Sequence, residues 1–534
     1  MGLVTRYAPN GMVSSIDHLA SSAGVAILRA GGSAADAAVA TSAVLAVTSP
    51  HMCGMGGDLL ALVHDGSGPP AVLNASGRAG SGADPERLRA DGYRVMPFKD
   101  DIRSVTVPGC VDGWLELHRR SGRLPLADVL GPAIAYARDG FPVAPLLAAM
   151  LPLVLAAESA ADYRPDGRKL RTGERCRRPG AARALEAVVA DGRAGFYQGE
   201  FGEGLLVLGA GEFQPEDLAR AQANWVEPLG RRVWGHDVWT VPPNSQGYLV
   251  LAAALIAEGL DLPTDPDDPR WVHLLVESAK QAGFDRPDRL FDGADPDELL
   301  DPLMLDAGRA RIDPERSAEL SLPGADGGTI YLCSVDGEGR GVSLIQSNAS
   351  GFGSHLFEPF TGVNLHNRGL GFSLERGHPA EYGPGRRPPH TLSPALVTRP
   401  DGSLRAVLGS MGGDAQPQIV LQLLTRLLHA DQRAGEVVGS PRFVLANGSG
   451  EHGFDTWAAA PGAPLDTVVE LEADTPPSWV AGLEQRGHAV RILPASDHGM
   501  GHAHLIEVRS DVSGAAMRAG SSDPREANGA AVGY

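Results

Sequence analysis

Basic residues are in short supply in this chain. Its 534 residues include 46 Lys and Arg against 65 Asp and Glu, a formal net charge of −19. Nucleic acids and anionic membranes reward positive patches, so neither is expected as the main partner. An anionic small molecule is not excluded, because a pocket can be locally basic on an acidic protein. Cysteine is scarce too. Cys53, Cys110, Cys176 and Cys333 lie far apart and form no CxxC pair, which argues against a zinc site or a disulfide framework. No apolar run reaches membrane-spanning length. Residues 1–17 carry neither the apolar core nor the basic cluster of a secretory signal, so a cytoplasmic location with reduced thiols is expected. Aromatics are only 5% of the chain, whereas Gly (68) and Pro (41) are abundant, which implies a core of Ala, Val and Leu with many tight turns.

The patterning that is present suggests a layered α/β protein. Residues 17–50 read as two helices: Gly31-Gly32 breaks the first, and Ser33 can cap the second, over 34–47. Gly54-Met55-Gly56-Gly57-Asp58 is a tight turn before short strands at 59–63 and 71–74. Helices are predicted at 113–119 and 132–139, with Pro132 in the first turn of the latter. A strand at 234–242 and a buried helix at 247–258 come next. Helices dominate before residue 325. Beyond it, 329–335 and 341–347 form a hairpin around Asp336-Gly337-Glu338-Gly339-Arg340. Strands at 395–398 and 406–409, a helix at 416–429 and strands at 488–493 and 503–508 complete the pattern. Composition alone makes 511–534 a disordered tail. The chain has no internal repeat.

Asp326-Gly327-Gly328-Thr329 places two glycines before a Thr that opens a strand. By itself this is an ordinary turn. Chemically, a Gly-rich loop can adopt the geometry in which a hydroxyl attacks the preceding carbonyl. Hydrolysis of the resulting ester would free a Thr whose own α-amine serves as its base, one known way to activate a weak hydroxyl nucleophile.

A series of segments gives this reading its context. Gly31-Gly32-Ser33-Ala34-Ala35-Asp36, Gly54-Met55-Gly56-Gly57-Asp58, Pro108-Gly109-Cys110-Val111-Asp112-Gly113-Trp114 and Pro242-Pro243-Asn244-Ser245-Gln246-Gly247 precede the Thr. Ser347-Asn348, Gly351-Phe352-Gly353, Asn367-Arg368-Gly369-Leu370-Gly371-Phe372-Ser373, Pro389-His390-Thr391-Leu392-Ser393-Pro394 and Gly409-Ser410-Met411-Gly412-Gly413 come after it, and Gly520-Ser521-Ser522-Asp523-Pro524-Arg525 leads into the end. In this order, over nearly the whole chain, they resemble the γ-glutamyltransferase family. The resemblance implies a four-layer αββα N-terminal-nucleophile hydrolase fold. It implies a precursor that cleaves itself between Gly328 and Thr329 into a large subunit, 1–328, and a small one, 329–534. Thr329 matches the nucleophile, and Gly412 and Gly413 match the oxyanion-hole pair, a task suited to backbone N–H groups. Arg78 resembles the arginine that grips a substrate carboxylate, and Asn348 the substrate-binding Asn.

The sequence also departs from the family pattern. Where the family carries an Asp for the substrate's α-ammonium stands Gly371; Arg368 replaces a neutral Gln; and His390-Thr391 replaces a pair of serines. The pocket has lost an anion and gained a cation. Arg368, His390 and Thr391 are therefore candidate substrate contacts, and the pattern is closer to glutaryl (cephalosporin) acylase-like proteins and oxamate amidohydrolase. The function expected is a self-processing amidohydrolase or acyltransferase acting on small amides with a carboxylate-bearing acyl group. True γ-glutamyl transfer from glutathione-like donors and an unprocessed, non-catalytic binding protein remain alternatives. Neither cofactor nor metal is required, and a homodimer of heterodimers is one assembly the resemblance allows. His498, His502 and His504 could be metal ligands but read better as structural. Asp292, Asp295 and Asp297 lack calcium-loop spacing and suit a helix N-terminus. Gly54-Met55-Gly56-Gly57 lacks the ending of a phosphate loop, and no G-x-S-x-G is present.

Overall fold

Two seven-stranded antiparallel sheets stack face to face, and side-chain alternation along the strands decides what lies between them. The computed structural model describes residues 4–320, 328–447, 467–510 and 513–534. One sheet runs Ala530–Gly533, Met12–Ser15, Gly328–Val335, Gly341–Ala349, Asp58–His64, Ala71–Ala75, Asn224–Val226 from edge to edge. The other runs Arg6–Ala8, Ala516–Ser522, Ala503–Ser510, Leu404–Ser410, Ala395–Thr398, His236–Thr240, Leu229–Val233. Successive side chains of a strand point to opposite faces. Tyr331, Cys333 and Val335 thus join Leu60, Leu62, Ile345, Leu396, Val407 and Ile506 in a cluster drawn from both sheets. The alternate residues Ile330, Leu332, Leu59, Ala61 and Leu344 turn outward and pack with one set of helices. On the far side Ala395, Val397, Leu408 and Leu505 pack with the helices Tyr248–Glu258, Pro269–Gly283 and Gln416–Leu424. The result is the expected αββα stack of four layers.

The helix Ala34–Thr48 shows how local sequence builds an outer layer. Gly31 takes φ of 95°, a conformation that favours glycine, and ends the preceding helix His18–Arg29. The Ser33 hydroxyl accepts from the Asp36 N–H while the Asp36 carboxylate accepts from the Ser33 N–H, a reciprocal capping box. Every residue from Ala34 to Thr48 is buried, as a helix apolar all round requires.

Two expectations change. Pro132 lies inside the helix Leu126–Asp139, not in its first turn, because that helix begins directly after Pro125. Residues 516–534 are not a loose tail: Ala516–Ser522 and Ala530–Gly533 are strands, the first paired with Ala503–Ser510 and the second with Met12–Ser15. The first part is helix-rich and the last part strand-rich, as expected, but the two parts do not form separate layers. Among the described residues, Arg6–Ala8, Met12–Ser15, Asp58–His64, Ala71–Ala75, Asn224–Val226, Leu229–Val233 and His236–Thr240 all come from the first part, so each sheet is built from both. Asp326 and Gly327 lie outside the described residues. Among those described, no helix is long and apolar enough to cross a membrane.

Candidate active site

Thr329 is the second residue of its strand and shares a face with Tyr331, so it looks into the space between the sheets. It is buried. Its register partner is Ser347, and the register partner of Ser347 on the next strand is Asp58. Three polar side chains therefore stand abreast at the end of the layer between the sheets. Sequence reading gave no role to Ser347 or Asp58, although the hairpin turn fixes the first pairing.

A chain of hydrogen bonds runs outward from Thr329. Its Oγ1 lies 2.9 Å from Ser347 Oγ. Arg368 Nη2 donates to the same Ser347 oxygen at 3.0 Å, and Arg368 Nη1 donates to Thr391 Oγ1 at 2.9 Å. Gln246 Nε2 donates to the Thr391 carbonyl at 2.9 Å and to the Gly413 carbonyl at 3.0 Å. Gln246 Oε1 in turn accepts from Arg286, which is ion-paired with Asp414 at 2.7 Å. The chain joins Thr329, Arg368, Thr391 and Gly413 through Ser347 and Gln246. Ser347, Gln246, Arg286 and Asp414 were missed as site residues. Gln246 stands in a motif whose order was legible, but its reach across to Gly413 was not.

Arg368 opens the short turn Arg368–Gly371 and is only 2% exposed. Burial lowers its pKa to about 10, against the pull of Asp58 and Asp414. Its Nε has no hydrogen-bond partner among the described residues. The turn fits tightly: a Cβ on Gly369 would stand 2.6 Å from the Ser104 carbonyl oxygen, and one on Gly371 would stand 2.3 Å from that of Pro389.

Beside this chain, Asp58 Oδ2 lies 3.2 Å from His390 Nε2 and 3.5 Å from His366 Nδ1. Its other oxygen accepts from the Gly77 N–H at 2.9 Å and the Gly109 N–H at 3.3 Å. Burial would raise the Asp58 carboxyl, but His366 and His390 outweigh it and hold the group well below the usual carboxylate range. Burial and the nearby Arg368 charge push His390 down to about 3. The Gly56-Gly57 turn that precedes Asp58 requires glycine: a Cβ on Gly56 would be 2.2 Å from the Asn364 carbonyl oxygen and one on Gly57 2.3 Å from that of Ser347.

Gly412 and Gly413 connect the strand Leu404–Ser410 to the helix Gln416–Leu424 with φ of 142° and 52°. Both values favour glycine. Among the described residues neither N–H donates to a protein acceptor. The two amides stand at the start of a helical turn, where backbone N–H groups are available to an anion.

The remaining candidates make other contacts among the described residues. Arg78 donates to Gln222 Oε1 at 3.3 Å and Asn224 Oδ1 at 3.0 Å, not to the hydroxyl chain around Thr329. Burial, with Arg387 and Arg220 nearby, lowers its pKa to about 10. Asn348 is the extra residue where the hairpin register shifts between Gly328 and Thr329, and its Nδ2 donates to the Pro50 carbonyl at 2.9 Å. His504 does not group with His498 and His502; its Nδ1 lies 3.2 Å from Ser14 Oγ and its ring stacks near Tyr331. His498 and His502 come together with Glu526 instead. A second group, His273, Glu277 and His488, already holds the Lys280 ammonium, 2.9 Å from Glu277 Oε1. Asp295 caps the short helix Pro296–Leu299. All four cysteines are free and buried.

Residues 20–533 match the gamma-glutamyltranspeptidase family. The chain is 35% identical to the oxamate amidohydrolase proenzyme of Klebsiella pneumoniae, with 99% of each chain covered. It is 33% identical to the glutathione hydrolase-like YwrD proenzyme of Bacillus subtilis, with 98% of each covered. Its structure is similar to that of cephalosporin acylase from Bacillus halodurans, with a TM-score of 0.88, 32% identity, and 99% of this chain and 97% of the other covered.

Proposed function

The chain belongs to the gamma-glutamyltranspeptidase family, a self-processing amidohydrolase of N-terminal-nucleophile type, and from that premise we propose that it hydrolyses small amides whose acyl part carries a carboxylate. The observation that carries this reading is the buried Arg368 guanidinium, one hydroxyl removed from Thr329. A guanidinium fork matches a carboxylate. Arg368 shares the anchoring role that the family resemblance gives to Arg78.

Processing would break the Gly328–Thr329 bond and leave residues 329–534 beginning with the nucleophile. Thr329 Oγ attacks the amide carbonyl, and its α-amine takes the proton. The N–H groups of Gly412 and Gly413 hold the oxyanion of the tetrahedral intermediate. Collapse expels the amine, which receives the proton back, and leaves an ester on Thr329. Water then releases the acid; an amino acid or peptide amine in place of water gives transfer. Ser347 and Thr391 orient Arg368 toward the acyl group, and His390 supports the loop that carries Thr391.

Strict γ-glutamyl recognition is less well served. It needs an anion for the α-ammonium, and the family position for one is Gly371, where any Cβ would meet the Pro389 carbonyl. The relative named for oxamate fits the proposal, because oxamate is itself an amide bearing a carboxylate.

Two measurements test the reading. Shared in proportion to length, the 55.7 kDa chain should give fragments of roughly 34 and 21 kDa, the smaller beginning at Thr329, as a freed Thr nucleophile requires. Thr329→Ala should remain one chain and turn over no amide; a processed, active Thr329→Ala protein overturns the assignment. Oxamate and glutaryl anilides should then be hydrolysed faster than their neutral carboxamide counterparts.

A further inference from the structure

Two acids act on the charge of Arg368, Asp58 and Asp414, and both are already engaged. Asp414 is paired with Arg286 at 2.7 Å. Asp58 receives two backbone N–H groups on one oxygen and faces two imidazoles on the other. Arg368 itself donates to two neutral hydroxyls, and its Nε donates to nothing among the described residues. A buried guanidinium satisfied by hydroxyls alone lacks the carboxylate that a buried charge ordinarily requires.

The hydrogens on the two imidazoles are set by their partners. His390 Nδ1 accepts from the Leu392 N–H at 3.3 Å, so the hydrogen of its neutral ring sits on Nε2 and points at Asp58. His366 is oriented the other way. Its Nε2 lies 2.8 Å from the Thr106 carbonyl oxygen and 3.2 Å from the Thr106 hydroxyl; the nearer carbonyl can only accept, which places a hydrogen on this nitrogen and leaves the hydroxyl as a second acceptor. Its Nδ1 is left facing Asp58 Oδ2 at 3.5 Å. A bare lone pair there would oppose the lone pairs of a carboxylate. A proton on Nδ1 turns the contact into an ion pair.

We propose that His366 sets the acyl specificity of the site: as the counter-ion of Asp58, it leaves Arg368 one negative charge short, and the carboxylate of the substrate's acyl group supplies it. His366 is a positioning residue, since it acts through Asp58 and Arg368. The inference rests on Arg368 receiving the substrate's acid group. Without His366, Asp58 becomes the compensating anion of Arg368, and the site accepts neutral acyl groups on nearly equal terms.

The test is the ratio of kcat/KM for an acid substrate to that for its carboxamide, with oxamate against oxamide and a glutaryl anilide against its glutaramide analogue as probes. His366→Gln should lower the ratio by about tenfold or more, the scale of one opposite charge gained in a buried site. Asp58→Asn should keep or raise it, because it removes the competing anion. A merely structural role would move both variants in the same direction, and equal losses in both overturn the proposal. An unchanged ratio in His366→Gln also overturns it while leaving Arg368 as the acid anchor. A wild-type ratio near one defeats the Arg368 reading itself, and this inference with it. If His366→Gln yields no soluble protein, Asp58→Asn decides alone: a lowered ratio overturns the proposal and a kept or raised one supports it.

Discussion

In the reading proposed here, Arg368 concentrates most of the chemistry that distinguishes this site. It reaches Ser347 and Thr391 at once because a planar fork presents two parallel donors. A lysine has one ammonium on a flexible stem and cannot hold both hydroxyls in the same geometry. Arg368→Gln should lower kcat/KM on acid substrates by at least about thirtyfold, the cost of removing one member of a buried charged pair. Arg368→Lys should recover little of it. Neither change touches the Gly328–Thr329 bond, so both proteins should still appear as two bands on a denaturing gel. Recovery of near-normal activity in Arg368→Lys would mean that charge alone, and not the fork, is used.

At the scale of elements, the turn Arg368–Gly371 and the loop carrying His390 and Thr391 close on one another. Replacing Gly371 by Asp should not confer γ-glutamyl selectivity. Its Cβ would stand 2.3 Å from the Pro389 carbonyl oxygen, so the loop must move and carry Thr391 away from Arg368. The expected result is a fall in activity toward γ-glutamyl and glutaryl amides alike; a gain for the γ-glutamyl amide would contradict it. These elements also show what the sequence makes legible. The hairpin around residues 336–340, the capped helix after Ser33 and the glycine turn before Asp58 announce themselves through local signals of turn, cap and period. The strands 516–522 and 530–533 do not, because their stability comes from partners distant in the chain, as the pairing of 530–533 with Met12–Ser15 shows. Thr329, Arg368 and Gly413 were visible through resemblance and through a change of charge. The roles of Ser347, Gln246, Asp58 and His366 are contacts between distant segments, which no local pattern encodes.

For the whole molecule, interleaving of the two segments governs the fate of the fragments after cleavage. Gly328–Val335 lies between Met12–Ser15 and Gly341–Ala349, and Gly341–Ala349 pairs with Asp58–His64. The fragments should therefore elute together from a sizing column after processing and separate only in denaturant. Separation under native conditions would contradict the shared sheets. Acid should weaken the whole assembly. Burial holds His51, His390, His488 and His502 neutral with pKa values of about 3, and His504 with one of about 4. In an unfolded chain such groups titrate at about 6.5. Between those limits the unfolded state binds more protons, so stability is complete above about 6.5 and is lost as pH falls toward about 3. The thermal midpoint should drop steadily from about pH 7 to about pH 4, the window in which the unfolded chain takes up the extra protons; a flat profile would contradict neutral buried rings.

The strand Ala530–Gly533 lies against Met12–Ser15, and the Tyr534 N–H donates to the Gly11 carbonyl at 3.1 Å. The closing strand thus lies beside one from the start of the chain, which makes the protein a natural candidate for circular permutation. A linker from Tyr534 back to the residues before Arg6, with new ends opened between Gly328 and Thr329, would give a chain translated as Met-Thr329. Trimming of that methionine by the cell's own aminopeptidase would expose Thr329, the nucleophile proposed above, directly. Such a permutant would be born mature, and its activity would separate the chemistry of turnover from the chemistry of self-cleavage within one polypeptide.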